Sequence, residues 1–97
     1  MKDENIKHCR LIYEKTIAMD PNEVNARINL GVMMFKFWNE LGNARQLLEA
    51  AIALEPGHAS ALWFLGQLYV KQKYFELGVQ TYETALEHSP PNEINIL

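Results

Sequence analysis

The sequence predicts an all-α fold: a right-handed superhelical solenoid of antiparallel helix pairs, about five helices in total. Three observations predict it. First, residues 59–92 contain two helical patterns joined by a short polar turn and closed by proline. Leu62, Leu65, Gly66 and Tyr69 share one face of the first helix, and Phe75, Gly78, Val79, Tyr82, Ala85 and Leu86 share one face of the second, because their intervals match the helical repeat. Second, the pattern recurs. Leu30-Gly31 returns as Leu65-Gly66, and Cys9, Tyr13, Thr16, Ile17 and Pro21 return as Ala44, Leu48, Ala51, Ile52 and Pro56, each 35 residues later. Those last five positions return again as Gly78, Tyr82, Ala85, Leu86 and Pro90 after 34 residues. Third, 48% of the residues are hydrophobic and only 22% charged. That supports a core and argues against disorder, yet a single helix pair cannot bury its apolar face alone, so the copies must stack.

A period near 34 with small residues, aromatics and a closing proline at these offsets resembles the tetratricopeptide repeat family. In the last unit the residues that carry the resemblance are Leu65, Gly66, Tyr69, Gly78, Tyr82, Ala85 and Pro90. It covers nearly the whole chain, as one domain over 1–97: an incomplete repeat (1–21), two repeats (24–58 and 59–92), and residues 93–97 as a tail or the start of a further helix. The resemblance implies this fold and a function in binding other proteins; it names no partner.

Taken in order, residues 3–19 read as the second helix of a unit whose first helix is missing, with Ile6, Cys9, Tyr13 and Ile17, and one of Leu11 and Ile12, inward. Asp20-Pro21-Asn22-Glu23 is a helix start: Asp20 as cap, Pro21 in the first turn, Glu23 as the capping-box carboxylate. The helix that follows runs to about Trp38, with Ala26, Leu30, Gly31, Met33, Met34 and Phe37 as core. Gly31 and Ala44 are 13 residues apart, whereas Gly66 and Gly78 are 12 apart; the extra residue is placed in the turn 39–43. Residues 44–54 form the partner helix, Glu55-Pro56-Gly57-His58 breaks it, and a second pair follows over 59–72 and 75–88. Ser89-Pro90-Pro91-Asn92-Glu93 reads as another helix start, after which only Ile94, Asn95, Ile96 and Leu97 remain. Solenoid ends need cover, so the tail folding back, a second copy of the chain or a longer parent array is expected to supply it.

Charge and chemistry exclude more than they offer. A net charge of −3 carries no footprint for nucleic acid or an anionic membrane. No apolar run is long enough to span a bilayer, and the polar start is unlike a signal peptide; a soluble, cytoplasmic protein is expected. The single cysteine rules out an internal disulfide. His8 and Cys9 are neighbours that diverge by about 100° on a helix, and Cys9 aligns with Ala44 and Gly78, so it is expected as a small core residue. His58 and His88 sit at a helix start and a helix end. No metal-ligand spacing, phosphate loop or catalytic constellation is present, so no cofactor and no enzymatic activity are expected. Glu14, Glu49 and Glu83 recur in register; they are read as solvated outer-helix residues.

The resemblance implies that the first helix of each pair lines a concave groove. Off the packing seam on that side lie Asn25, Ile28, Val32, Phe35 and Lys36, then Ser60, Trp63, Gln67, Val70 and Lys71. The set is apolar for a solvated face and fits a protein partner's peptide or helix, with Trp63 as anchor. Some family members hold chaperone-tail carboxylates with Lys and Asn in this groove; here Ile28, Val32, Trp63 and Gln67 occupy the corresponding places, which argues against that mode. A second resemblance runs through residues 9–17 and 44–52, which are similar to the second helix of the half-a-tetratricopeptide (HAT) repeat and would imply a scaffold of RNA-processing assemblies. The Leu-Gly pairs fit the parent family better, and Gly78-Val79 lacks the HAT arginine. The expected function is a non-catalytic adaptor, with a HAT-like scaffold or a self-associating segment of a longer repeat protein as alternatives.

Overall fold

The computed structural model describes the backbone of residues 2–88 and the side chains of residues 4–88. The expectations for residues 93–97 lie outside the described residues. Five helices follow one another: α1 (Lys2–Met19), α2 (Val24–Met33), α3 (Leu41–Leu54), α4 (Ala59–Lys71) and α5 (Phe75–Glu87). A single π-helical turn, Met34–Trp38, extends α2. Each helix packs on the next, most closely within the pairs α2–α3 and α4–α5, as a helical solenoid requires.

The seams are closed by the small residues. A β-carbon on Gly31 would lie 3.2 Å from Leu48 Cγ, and one on Gly66 would lie 2.7 Å from Tyr82 Cδ1. A β-carbon on Gly78 would meet Val70 Cγ2 at 2.7 Å and the Gly66 carbonyl at 3.2 Å. The helices of a pair therefore approach closely where glycine recurs, as the sequence predicts. Leu48 and Leu68 are the largest fully buried side chains, and Ala44, Ala51 and Ala61 have no exposed surface.

The extra residue of the first full unit is not in the turn. Asn39 and Lys73 both take the left-handed conformation (φ 54° and 71°), and from them to Ala44 and Gly78 the two units keep the same count. The insertion lies upstream and is absorbed as the π-helical turn. The amide of Glu40 donates to the Met34 carbonyl at 3.0 Å, six residues back, where that of Tyr74 donates to Tyr69 at 2.8 Å, five back. One residue is looped into the helix, and the register of α3 is preserved. The same turn carries Phe37 outward, to 58% exposure, instead of into the core.

Two further expectations are corrected. The Asp20–Glu23 segment is a turn, with the Glu23 amide bonded to the Asp20 carbonyl, and α2 is capped by the Glu23 side chain, which accepts from the Asn25 amide at 3.0 Å. His58, its repeat counterpart, caps α4 by accepting from the Ala61 amide at 3.3 Å. Cys9 is exposed. Its counterparts Ala44 and Gly78 are buried against the first helix of their own pair, and α1 has no such partner among the described residues, so the same position faces solvent.

Candidate functional site

The ten residues expected to line a groove lie on α2 with its π-helical extension and on α4. Lysines tie the two helices together. Lys71 Nζ stands 5.4 Å above the Phe35 ring, and Lys36 Nζ stands 5.4 Å above the Phe64 ring. The two sequence-predicted sets are thus adjacent in space. Each lysine covers an aromatic face, a favourable cation–π geometry.

Burial divides the set. Ile28, Phe35 and Trp63 are buried at 6%, 9% and 9% exposure. Val32, Gln67 and Val70 are half-buried, and Asn25, Lys36, Ser60 and Lys71 are exposed. Trp63 packs its ring 4.7 Å from that of Tyr82, so it is a pillar of the α4–α5 seam, and its Nε1 is buried without a partner. Burial also raises the Tyr82 phenol above its ordinary pKa. The accessible part of the set is therefore half-buried Val32, Gln67 and Val70 with exposed Asn25, Lys36, Ser60 and Lys71.

The opposite side is organised by a repeated arginine. Arg10 donates to Glu40 at 2.7 Å and to Glu14 at 3.1 Å and lies 4.9 Å above the Trp38 ring. Hydrogen bonds from Arg10 first, then Asn43, hold the Glu40 carboxyl below its usual range. One repeat later, Arg45 lies 5.9 Å from the Tyr74 ring centre, makes a long contact of 3.5 Å to Gln72 and stands 4.0 Å from Glu49. Each arginine reaches from the second helix of one unit to the inter-helix turn of the next, acting as a clasp between units. Glu49 also accepts from the Tyr69 hydroxyl at 2.7 Å. Burial and then this bond push the Tyr69 phenol up to about 12. Glu14 and Glu49, read from sequence as merely solvated, are thus clasp members. The recurring Arg-x-x-x-Glu spacing on α1 and α3 was the available signal.

At the next repeat position the clasp is absent, because Val79 stands where Arg45 would recur. Around it α5 shows Phe75, Leu77 and Leu86 with exposures of 59%, 44% and 54%. Only Gly78 and Ala85 of the predicted α5 stripe are buried, with Tyr82 half-buried. No group of three or more His, Cys, Asp or Glu side chains among the described residues is close enough to hold a metal ion, and no helix among them is long and apolar enough to cross a membrane.

Comparison with known proteins agrees with this architecture. The crystal structure of MamA is similar over 90% of this chain, with a TM-score of 0.81 and 21% sequence identity. This chain spans half of that chain's length. No curated protein sequence matches. The family model described as tetratricopeptide repeat matches residues 39–95, more than half of the sequence. Repeats of this family generally mediate contacts between proteins. With helix pairs in 34- and 35-residue register, glycine-closed seams and this match, the chain belongs to the tetratricopeptide repeat family.

Proposed function

We propose that the protein is a non-catalytic interaction module that holds a peptide or helix of a partner protein along the surface of α2 and α4. The observation that carries this reading is the side-by-side placement of the two helices through the Lys71–Phe35 and Lys36–Phe64 contacts. Val32 and Gln67, at equivalent positions of the two units, are half-buried, and Asn25, Lys36, Ser60 and Lys71 are exposed. Half-buried apolar side chains still have surface to lose, and burying it favours association by roughly 25 cal/mol per Å². The lysine heads set orientation more than affinity.

The test uses Val32→Glu, since Val32 is only half-buried whereas Val70 packs against Gly78 in the α4–α5 seam, and Glu83→Lys on exposed α5 surface as control. Partner capture from the native cell extract is compared at low and high salt. Capture lost only in the valine variant, and tolerant of salt, is the expected result. Equal capture by all three proteins, or capture abolished by moderate salt in the wild type, rejects the groove.

A second reading is favoured by α5. Exposed Phe75, Val79 and Leu86 occupy the positions of Leu41, Arg45 and Ile52, on the helix that in the preceding pair meets α4. A second copy or a further repeat stacked there would cover them. Sedimentation of wild type against Val79→Arg tests it: association in the wild type that the arginine weakens is expected, and a monomer at every concentration rejects self-association.

A further inference from the structure

Away from the α2–α4 surface, a depression of about 420 Å³ opens between α1 and α3 with α2 as its floor. Arg27, Leu30 and Met34 supply the floor, and Ile17 and Leu47 stand on the walls. At 100° per residue, Arg27, Leu30 and Met34 are centred about 130° around α2 from Ile28, Val32 and Phe35, so this is a different face from the one proposed above.

Comparison of the two units explains why it exists. The counterpart of Met34 is Tyr69, and the counterpart of Arg27 is Leu62. In the second unit both are buried, and the tyrosine hydroxyl donates to Glu49. In the first unit the tyrosine ring is replaced by a thinner methionine, and the leucine by a guanidinium. Arg27 Nη1 is buried and has no hydrogen-bond partner among the described residues. Glu14, the carboxylate on the wall of the same depression, is engaged by Arg10 at 3.1 Å. An unpaired buried donor on a cation is costly, and a leucine would serve packing better there.

We propose that this depression is a second binding site, which takes the carboxylate of a partner peptide on Arg27 with the adjoining apolar side chain against Ile17, Leu30, Met34 and Leu47. Charge complementarity selects the carboxylate, since Arg27 is a cation whose Nη1 has no acceptor among the described residues. The apolar walls select the residue that bears it.

The test is an NMR titration of the full chain, following the Arg27 Nε–H signal and the amides of residues 14–17, 27–34 and 43–50. The probes are N-acetyl-leucine, which carries the carboxylate, and N-acetyl-leucinamide, which has the same apolar body without it. Saturable shifts with the acid and none with the amide are expected. Arg27→Leu installs the sister unit's residue, and Met34→Tyr refills the cavity with the sister unit's ring and hydroxyl. Each is expected to weaken the acid by about tenfold or more while leaving the helical circular dichroism intact. If Arg27→Leu fails to fold, Met34→Tyr alone decides. Equal shifts with acid and amide, no shifts at all, or undiminished binding in a folded variant overturns the site.

Discussion

Gly66 lies so close to Tyr82 that a β-carbon on the glycine would sit 2.7 Å from Cδ1 and 2.8 Å from Cε1 of the ring. The same ring packs against Trp63 at a tilt of 49° and cannot swing away without breaking that contact. Gly66→Leu is therefore expected to destabilise the protein by about 1–3 kcal/mol through overpacking. Thermal or urea denaturation measures it, and an unchanged midpoint would refute the α4–α5 seam described above.

Trp63→Ala removes the other side of this contact. A buried tryptophan truncated to alanine costs about 3–5 kcal/mol, so the variant is expected to lose much of its stability before any ligand is added. This makes Val32 a better probe of the proposed groove. A fully stable Trp63→Ala protein would mean that the indole is not a structural pillar.

Tyr69 makes the stability of the protein depend on alkaline pH. Its phenol is pushed up to about 12 in the folded protein, against about 10 when unfolded. A group with a raised folded-state pKa contributes stability that is complete below the unfolded value and is lost as the pH rises through the folded one. The melting temperature is thus expected to fall more steeply between about pH 10 and pH 12 in the wild type than in Tyr69→Phe. At neutral pH the substitution is expected to cost about 1 kcal/mol for the lost bond to Glu49. Parallel pH profiles for the two proteins would remove Tyr69 as the cause.

Deleting Phe37 tests the π-helical turn. The second unit spans the same interval with one residue fewer, and Phe37 is largely exposed. The deletion is expected to give an ordinary helix end with the α3 register intact, seen as unchanged cooperativity in the melt. A broad or two-phase transition would show that the turn positions α3 in some way that the second unit does not need.

The helix pairs, their order and the glycine seams were determined by the sequence alone, because they depend on short-range periodicity and on a repeat that states each rule twice. Leu65, Gly66, Tyr82 and Ala85 could be assigned to a seam from spacing, and the structure places them there. That the ten residues expected in a groove lie on the first helices of the two pairs was legible for the same reason. Tertiary structure alone decided how much of each remains accessible. A helical wheel gives the direction of a side chain, and burial also requires a neighbour at the right distance. Phe35 is covered by Lys71 and Trp63 by Tyr82, whereas Cys9, Phe75 and Val79, apolar or small in the same pattern, meet no helix in the described structure and stay exposed. The position of the extra residue was likewise hidden. Sequence counts the residues between Gly31 and Ala44, but only the carbonyl that the Glu40 amide selects decides whether the surplus one lies in a loop or in a widened helical turn. The cavity over Arg27 has the same origin, since it arises where one unit departs from its sister in two residues that are far from remarkable in sequence and share one space in the fold.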